Sequence, residues 1–268
     1  GPLTFNGMRF ALGALFLLPW AWRSAGNRAE GRLARRPRSE TLGPWLAGLV
    51  LFAGASFQQW GIVYTTAGKA GFITGLYVVL VPLFGVALGY RTTLGVWAGT
   101  AMAAAGLYLL SARAGWVIAP GDLLVFVSAC CWALHVLVVA RLAPSHPPLR
   151  LACWQFAVCA VLSLVTGALL EPITLAGLTG AAPAIAYGGL MSVGIGYTLQ
   201  VVAQRKAPPS HAAVILSLEA VFAALSGWLL LDETLSGRGL IGCGLMLAGW
   251  LVVQRFAPPL EEPPARGE

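Results

Sequence analysis

Residues 71–90 read GFITGLYVVLVPLFGVALGY, twenty consecutive positions without a charged side chain. About twenty helical residues cover the roughly 30 Å hydrocarbon core of a bilayer, so this stretch reads as a membrane crossing. Eight further runs of the same character accompany it. In chain order the nine are span A at 3–22, B at 45–64, C at 71–90, D at 94–111, E at 122–140, F at 151–170, G at 183–203, H at 211–231 and I at 237–254. Each is too long and too evenly apolar for a barrel strand, whose signal is alternation over about ten residues. The breakers fall between the runs, at Arg35-Arg36-Pro37, at Pro144 to Pro148 and at Pro208-Pro209. The expected fold is an all-α integral membrane protein, a polytopic helical bundle.

Composition points the same way. The 268 residues are 58% hydrophobic and only 10% charged, with a mean hydropathy of +0.78. A soluble domain carries about 25% charged residues, so a water-soluble enzyme, a disordered chain and a disulfide-stapled secreted module are all disfavoured. The net charge of +7 is not a nucleic-acid footprint, because most cations sit in short connectors between apolar runs. The densest group is Arg23, Arg28, Arg32, Arg35, Arg36 and Arg38, a juxtamembrane connector suited to anionic headgroups. Cys130, Cys131, Cys153, Cys159 and Cys243 all lie inside apolar runs without metal-ligand spacing, and read as small hydrophobes. No metal or cofactor is expected.

The connector cations set an orientation. One side holds thirteen Lys and Arg, those six together with Arg91, Arg141, Arg150, Arg205, Lys206, Arg255 and Arg266, against Lys69, Arg113 and Arg238 on the other. The C-terminus is therefore expected in the cytoplasm.

The spans also repeat. Shifting span A by 146 lays Arg9-Phe10-Ala11 on Gln155-Phe156-Ala157, with Ala14 on Ala160. Shifting span B by 140 lays Phe57 on Tyr197, and shifting span C by 138 lays Val81-Pro82-Leu83-Phe84 on Glu219-Ala220-Val221-Phe222. Shifting span D by 143 lays Gly99, Ala105 and Gly106 on Gly242, Ala248 and Gly249. Spans A to D thus pair with F to I, and span E lacks a mate. The expectation is nine visible spans of ten, in two halves of five. An odd number per half inverts one half relative to the other, the inverted-repeat arrangement of many secondary transporters, with sites near the midplane between repeats. The units are residues 1–115, residues 116–257 and a Pro-rich tail at 258–268, expected to be disordered.

These stretches resemble the EamA family of the drug/metabolite transporter superfamily. The likeness is carried by Leu3 to Pro19 with its Met8-Arg9-Phe10, by KAGFITGLYVVLVP at 69–82, by Cys131-Trp132-Ala133 through Ala140-Arg141, and by LSLEAVFAALSGWLLLDETL at 216–235. The resemblance implies a ten-helix fold, a bacterial inner-membrane location and ATP-independent export or exchange of small metabolites. It also implies Glu-Pro in span H. Here Glu219 is followed by Ala220, and a straighter span H is expected.

Polar residues inside apolar runs are the candidate functional groups, because burying them in lipid is costly. Glu219, near the centre of span H, is a candidate for ion coupling, the proton being the expected ion, or for pairing with a substrate ammonium. His135 and Trp132 share one face of span E, and Gln155 is a midspan amide in span F. Trp132 and Trp154 are candidates to stack on a substrate ring. Gln59 of span B, beside Gln58, and Tyr197, Gln200 and Gln204 of span G form a second polar set, lining a cavity or joining helices. Tyr77 of span C and Tyr187 of span G are weaker cavity candidates. Arg9 reads as snorkelling or internally paired. Asp232-Glu233 reads as loop charge. Gly85/Gly89 and Gly95/Gly99 have the GxxxG spacing of close helix packing, within the chain or in a homodimer.

The expected function is secondary transport of small metabolites or amphipathic compounds across the plasma membrane, as efflux or exchange. No G-x-x-x-x-G-K-[ST] phosphate loop is present. An integral membrane enzyme would need clustered His, Asp or an activated nucleophile, yet His135, His146 and His211 are scattered, and neither H-E-x-x-H nor G-x-S-x-G occurs. A channel would need charged rings or a filter loop. Partners are the bilayer and a small-molecule substrate.

Overall fold

The structure, a computed structural model, describes residues 1–26, 38–111, 119–230 and 236–256, the side chains of 24–26 and 38–41 excepted. The described residues form helices and no strands. In order these are α1 (Pro2–Gly26), α2 (Arg38–Ile62), α3 (Ala67–Gly75), α4 (Tyr77–Ala87), α5 (Leu94–Ser111), α6 (Pro120–Leu142), α7 (Pro148–Leu170) and α8 (Leu175–Tyr187). A π-helical stretch, Gly188–Tyr197, leads into α9 (Thr198–Ala203), followed by α10 (Pro209–Ser217), α11 (Glu219–Leu230) and α12 (Gly237–Arg255). The tail, Asp232-Glu233 and most of the arginine-rich connector lie outside the described residues.

Seven stretches are long and apolar enough to cross a membrane: Ala67–Ala87, Leu94–Ser111, Pro120–Leu142, Pro148–Leu170, Leu175–Ala203, Pro209–Leu230 and Gly237–Arg255. They correspond to spans C to I. The chain is thus a multi-pass membrane protein. Spans A and B are the helices α1 and α2, 25 residues each, with Asn6, Arg9, Gln58 and Gln59 among their polar residues. Local chemistry sets the ends. Pro120, Pro148 and Pro209 open α6, α7 and α10, where a missing N–H costs nothing. Thr174 and Ser236 cap α8 and α12, their hydroxyls accepting from Gly177 N and Gly239 N at 3.1 Å.

Two spans are broken at matching points. Leu76 (φ −60°, ψ −14°) separates α3 from α4, and Leu218 (φ −63°, ψ −12°) separates α10 from α11. Each donates its N–H three residues back, to Ile73 O at 3.2 Å and Ile215 O at 3.1 Å, a tightened 3₁₀ turn. Span H is therefore not straighter for lacking a proline. Pro82 lies beyond the break in span C as well, so the turn at the leucine, not a proline ring, makes both breaks. Leu218 follows Leu76 by 142 positions, so the residues that open the second halves of the two spans are Tyr77 and Glu219.

Span G differs too. It begins at Leu175 and passes through the π-helical stretch, where four of ten residues are glycine and the α register is weakly enforced. Gly189 and Gly194 sit against α1. A Cβ would stand 2.8 Å from Leu12 Cδ2 at the first and 2.9 Å from Phe16 Cδ1 at the second.

Glycine also sets the packing of α5 on α12. Added Cβ atoms at Gly106 and Gly242 would lie 2.5 Å from each other's carbonyl oxygens, and those at Gly99 and Gly249 2.6 Å from theirs. Of the two GxxxG pairs, Gly95 and Gly99 pack against Phe256 and Gly249. Gly85 and Gly89 do not make such a contact. Gly89 meets nothing within 4 Å and takes φ +85°, ending α4 with Tyr90 N donating to Gly85 O at 2.9 Å.

The helix ends segregate charge. Arg23, Arg91, Arg141, Arg150, Arg205, Lys206 and Arg255 stand at one end of the bundle, where no described side chain is acidic. At the other end Lys69 Nζ pairs with Asp122 Oδ2 at 3.0 Å, and Thr65 donates to the same carboxylate. Glu171 there accepts from Leu3 N (2.7 Å), Thr4 N (2.8 Å) and Thr4 Oγ1 (2.6 Å), tying α7 to the first turn of α1. Burial alone would raise its carboxyl, but these hydrogen bonds outweigh it and hold the group below its ordinary 4.5.

Two outcomes follow from this packing. Gly106→Leu forces α5 off α12 and should lower the thermal midpoint in detergent by about 2–10 °C, whereas Gly244→Ala, with nothing within 4 Å of the added Cβ, leaves it unchanged. For Glu171 the depressed carboxyl stabilises the fold above its ordinary value, and that stability is lost as pH falls through the lower folded value. The wild-type midpoint should therefore fall in acid more steeply than that of Glu171→Gln.

Candidate functional site

The core of the bundle gathers residues from α1, α4, α6, α7 and the π-helical stretch around aromatic rings. Trp132 and His135, one turn apart on α6, meet edge to face with centroids 5.9 Å apart. Tyr197, the last residue of the π-helical stretch, contacts Trp132 at 5.7 Å, Phe10 at 6.1 Å and Phe156 at 6.4 Å. Phe10 and Phe156 touch each other at 6.0 Å. His135 is 2% exposed and Gln155 fully buried. His135 Nε2 lies 2.8 Å from Gln155 Oε1. An amide oxygen only accepts, so the imidazole donates through Nε2 and its Nδ1 is left as an acceptor.

Three buried polar atoms of this cluster have no hydrogen-bond partner among the described residues: Trp132 Nε1, His135 Nδ1 and Gln155 Nε2. An unsatisfied buried group costs about 1–3 kcal/mol, so three in one cluster are expensive unless something else binds them. They amount to two donors and one acceptor. Tyr77, at the first turn of α4, is buried, and Glu219, at the first turn of α11, is exposed. The Glu219 carboxylate acts electrostatically on the Tyr77 and Tyr197 hydroxyls and makes no hydrogen bond or ion pair among the described residues. Each of the two residues heads the second half of a broken span, directly after the leucine break. Arg9 also acts electrostatically on Tyr197, while its Nε donates to Asn6 Oδ1 at 3.0 Å and its guanidinium lies over the Phe5 and Phe10 rings at 5.5 and 5.1 Å. It is paired internally.

Four of the eight candidates therefore meet, Trp132, His135, Gln155 and Tyr197, and Tyr77 lies in the same buried core, while Glu219 is exposed and is linked to Tyr77 and Tyr197 by its charge alone. Gln59 does not join them; it is half-buried on α2 and makes no hydrogen bond among the described residues. Gln200 donates to Gln204 Oε1 at 3.3 Å, and Gln204 Nε2 donates to Val136 O at 2.9 Å, so this pair binds α9 to α6. The polar stripe of span G thus splits into one site residue and two that join helices. Trp154 meets Trp45 at the surface with ring centroids 5.6 Å apart and planes tilted by 44°, and Tyr187 is 71% exposed. Neither reaches the cluster. Phe10 and Phe156, read in the sequence only through the repeat, belong to it, and Asn6, not marked there as a candidate, supports it. Asn6 Nδ2 donates to Ala55 O at 2.9 Å, and its place inside an apolar run was the available signal. Among the described residues no three His, Cys, Asp or Glu gather to hold a metal.

An aromatic box with two donors, one acceptor and a nearby carboxylate suits a small polar molecule with apolar parts. An uncharacterized transporter of Archaeoglobus fulgidus is 30% identical over 258 residues, 94% of this chain and 76% of that protein. The threonine/homoserine exporter RhtA of Salmonella typhimurium is 27% identical over 138 residues, and that of Escherichia coli K12 is 26% identical over 137. These matches take in 48% of this chain and 43% of each exporter, so the chain aligns with less than half the length of those two relatives. A solved crystal structure with 24% identity superposes at a TM-score of 0.76, over 97% of this chain and 90% of that one, and shows a shared fold. The profile of the EamA-like transporter family matches residues 1–112 and again 119–255, so the chain belongs to that family of membrane transporters.

Proposed function

We propose that the chain is a secondary transporter, not an enzyme or a channel, that moves a small amphipathic metabolite outward or in exchange by alternating access. Residues 1–115 and 116–257 act as two inverted repeats of a ten-span fold in the plasma membrane, with the C-terminus in the cytoplasm. Contacts across a local two-fold axis support the inversion. With the shift of 143, Gly99 corresponds to Gly242 and Gly106 to Gly249. The observed contacts are Gly99 with Gly249 and Gly106 with Gly242, each residue meeting its partner's counterpart. That reciprocity is what a two-fold relation requires. Phe10 and Phe156, counterparts by the shift of 146, touch each other, as residues on the axis must.

The observation that carries the site is the set of unpartnered atoms, Trp132 Nε1, His135 Nδ1 and Gln155 Nε2, in one aromatic cluster facing Tyr197. A carboxylate or carbonyl accepts from the indole and the amide, and a hydroxyl or amine donates to the imidazole. Glu219 is then the partner for an ammonium group or the acceptor of the coupling proton, next to Tyr77 and Tyr197. The likeness to threonine/homoserine exporters makes a small hydroxylated amino acid the first substrate to test. Rocking of the halves is easiest at Leu76 and Leu218, where the helical ladder is already interrupted.

The test is uptake of labelled threonine and homoserine into proteoliposomes, with and without a proton gradient. Saturable flux is expected. Glu219→Gln should lower the rate and remove its pH dependence, and unchanged rate and pH profile would reject the coupling role. Trp132→Phe keeps the ring and removes the donor. It should raise the half-saturation concentration about tenfold, the weight of one buried hydrogen bond, with no change in thermal midpoint. A lowered midpoint at unchanged half-saturation would make the indole a packing group.

A further inference from the structure

A cavity lies on the outside of the bundle between α1 and α7, lined by none of Trp132, His135, Gln155 and Tyr197. Its volume is 270 Å³, just under the roughly 300–1,000 Å³ of ordinary small-molecule sites. Leu18 and Trp22 of α1 and Cys153, Trp154 and Ala157 of α7 form its walls, and Arg150 is its one charged group. The walls face outward: Leu18 is 41%, Trp154 49% and Trp22 74% exposed. We propose that this groove binds one anionic glycerophospholipid, its phosphate on Arg150 and an acyl chain along Leu18, Cys153 and Ala157.

Three observations carry the proposal. Arg150 is half-buried and has no hydrogen bond or ion pair among the described residues, although a guanidinium set in apolar walls needs an anion. A phosphodiester meets the guanidinium fork in two parallel hydrogen bonds. The charge of the surroundings agrees, because Arg23 and Arg141 stand at the same end, where no described side chain is acidic. The depth agrees as well. Trp20, Trp22, Trp45 and Trp154, 48–74% exposed, ring this end of α1, α2 and α7 as an interfacial aromatic belt, so Arg150 is at headgroup level and the groove runs from there towards the hydrocarbon. Basic pockets between helices at such an interface hold lipid headgroups. A soluble anion fits less well, since all walls but Arg150 are apolar. A two-fold second copy would bring this arginine-rich surface against its own like charges.

The test is native mass spectrometry of the full chain in detergent. Dioleoylphosphatidylglycerol, dioleoylphosphatidylcholine and glycerol 3-phosphate are added separately. The wild type should retain one phosphatidylglycerol per chain, about fivefold more than phosphatidylcholine, the weight of one arginine near an anionic surface, and no glycerol 3-phosphate. Arg150→Gln should abolish the preference, and Arg205→Gln, at the same end but outside the groove, should keep it. Ala157→Phe fills the groove with Arg150 intact and should lose both lipids, which separates loss of the site from loss of charge. Equal retention of the two lipids, an equal fall with Arg150→Gln and Arg205→Gln, binding of glycerol 3-phosphate, or a dimer that expels the lipid would each overturn the proposal.

Discussion

A bilayer offers the main chain no hydrogen-bond partner, so a chain this apolar has to keep its backbone paired with itself wherever it crosses. That constraint shapes the rest of the molecule. It explains why the described residues are helical, and why the two interruptions inside spans are single 3₁₀ turns. At Leu76 and Leu218 the N–H still finds a carbonyl three residues back, so each helix changes course without exposing an unpaired donor to lipid. Leu218 is itself buried. The residue that follows each turn begins a new helix, Tyr77 that of α4 and Glu219 that of α11.

Within that constraint, packing rests on small residues. Lipid tails are as apolar as leucine, so burial alone does not drive helices together, and close backbone approach has to. The reciprocal contacts of Gly99, Gly106, Gly242 and Gly249 draw α5 and α12 together, and the glycines of the π-helical stretch do the same against α1. Polar side chains add fixed points. Ser128 Oγ donates to Gly54 O at 2.8 Å, Gln204 Nε2 to Val136 O at 2.9 Å and Asn6 Nδ2 to Ala55 O at 2.9 Å, each joining α6 or α1 to a neighbour. Buried atoms without a partner also occur at Ser56, Thr100, Thr198, His211 and Trp250, but those on Trp132, His135 and Gln155 share one cluster. The aromatic cluster is assembled by the packing and left chemically incomplete by it.

Much of this was legible in the chain. Span boundaries fell within a few residues of the helices for D, E, F and I, because apolar length and flanking Pro, Ser or Arg are local properties. Trp132 with His135 was readable as one helical face, since that depends only on spacing within α6. Gln155 could be marked as polar within lipid, but its bond to His135 joins α7 to α6 and no local rule encodes it. Gln59 and Gln200 looked equivalent to Tyr197 by the same reasoning; the structure separates them because facing inward and facing the same cluster are different conditions.

By itself the sequence determined the class of molecule, the approximate place of its crossings, the asymmetry of its positive charge and the family to which it belongs. The first two follow from composition and the length of apolar runs, the third from where the connector cations fall, and the fourth from the likeness of particular stretches to the family. Only the tertiary structure decided the breaks at Leu76 and Leu218, the meeting of Trp132, His135, Gln155 and Tyr197 beside Tyr77, the retirement of Trp154 and Tyr187 to the surface, and the groove beside Arg150. The reason is physical. An apolar helix in lipid has no single wet face to fix its rotation, so which polar residues meet is set by glycine contacts and interhelical hydrogen bonds between segments distant in the chain.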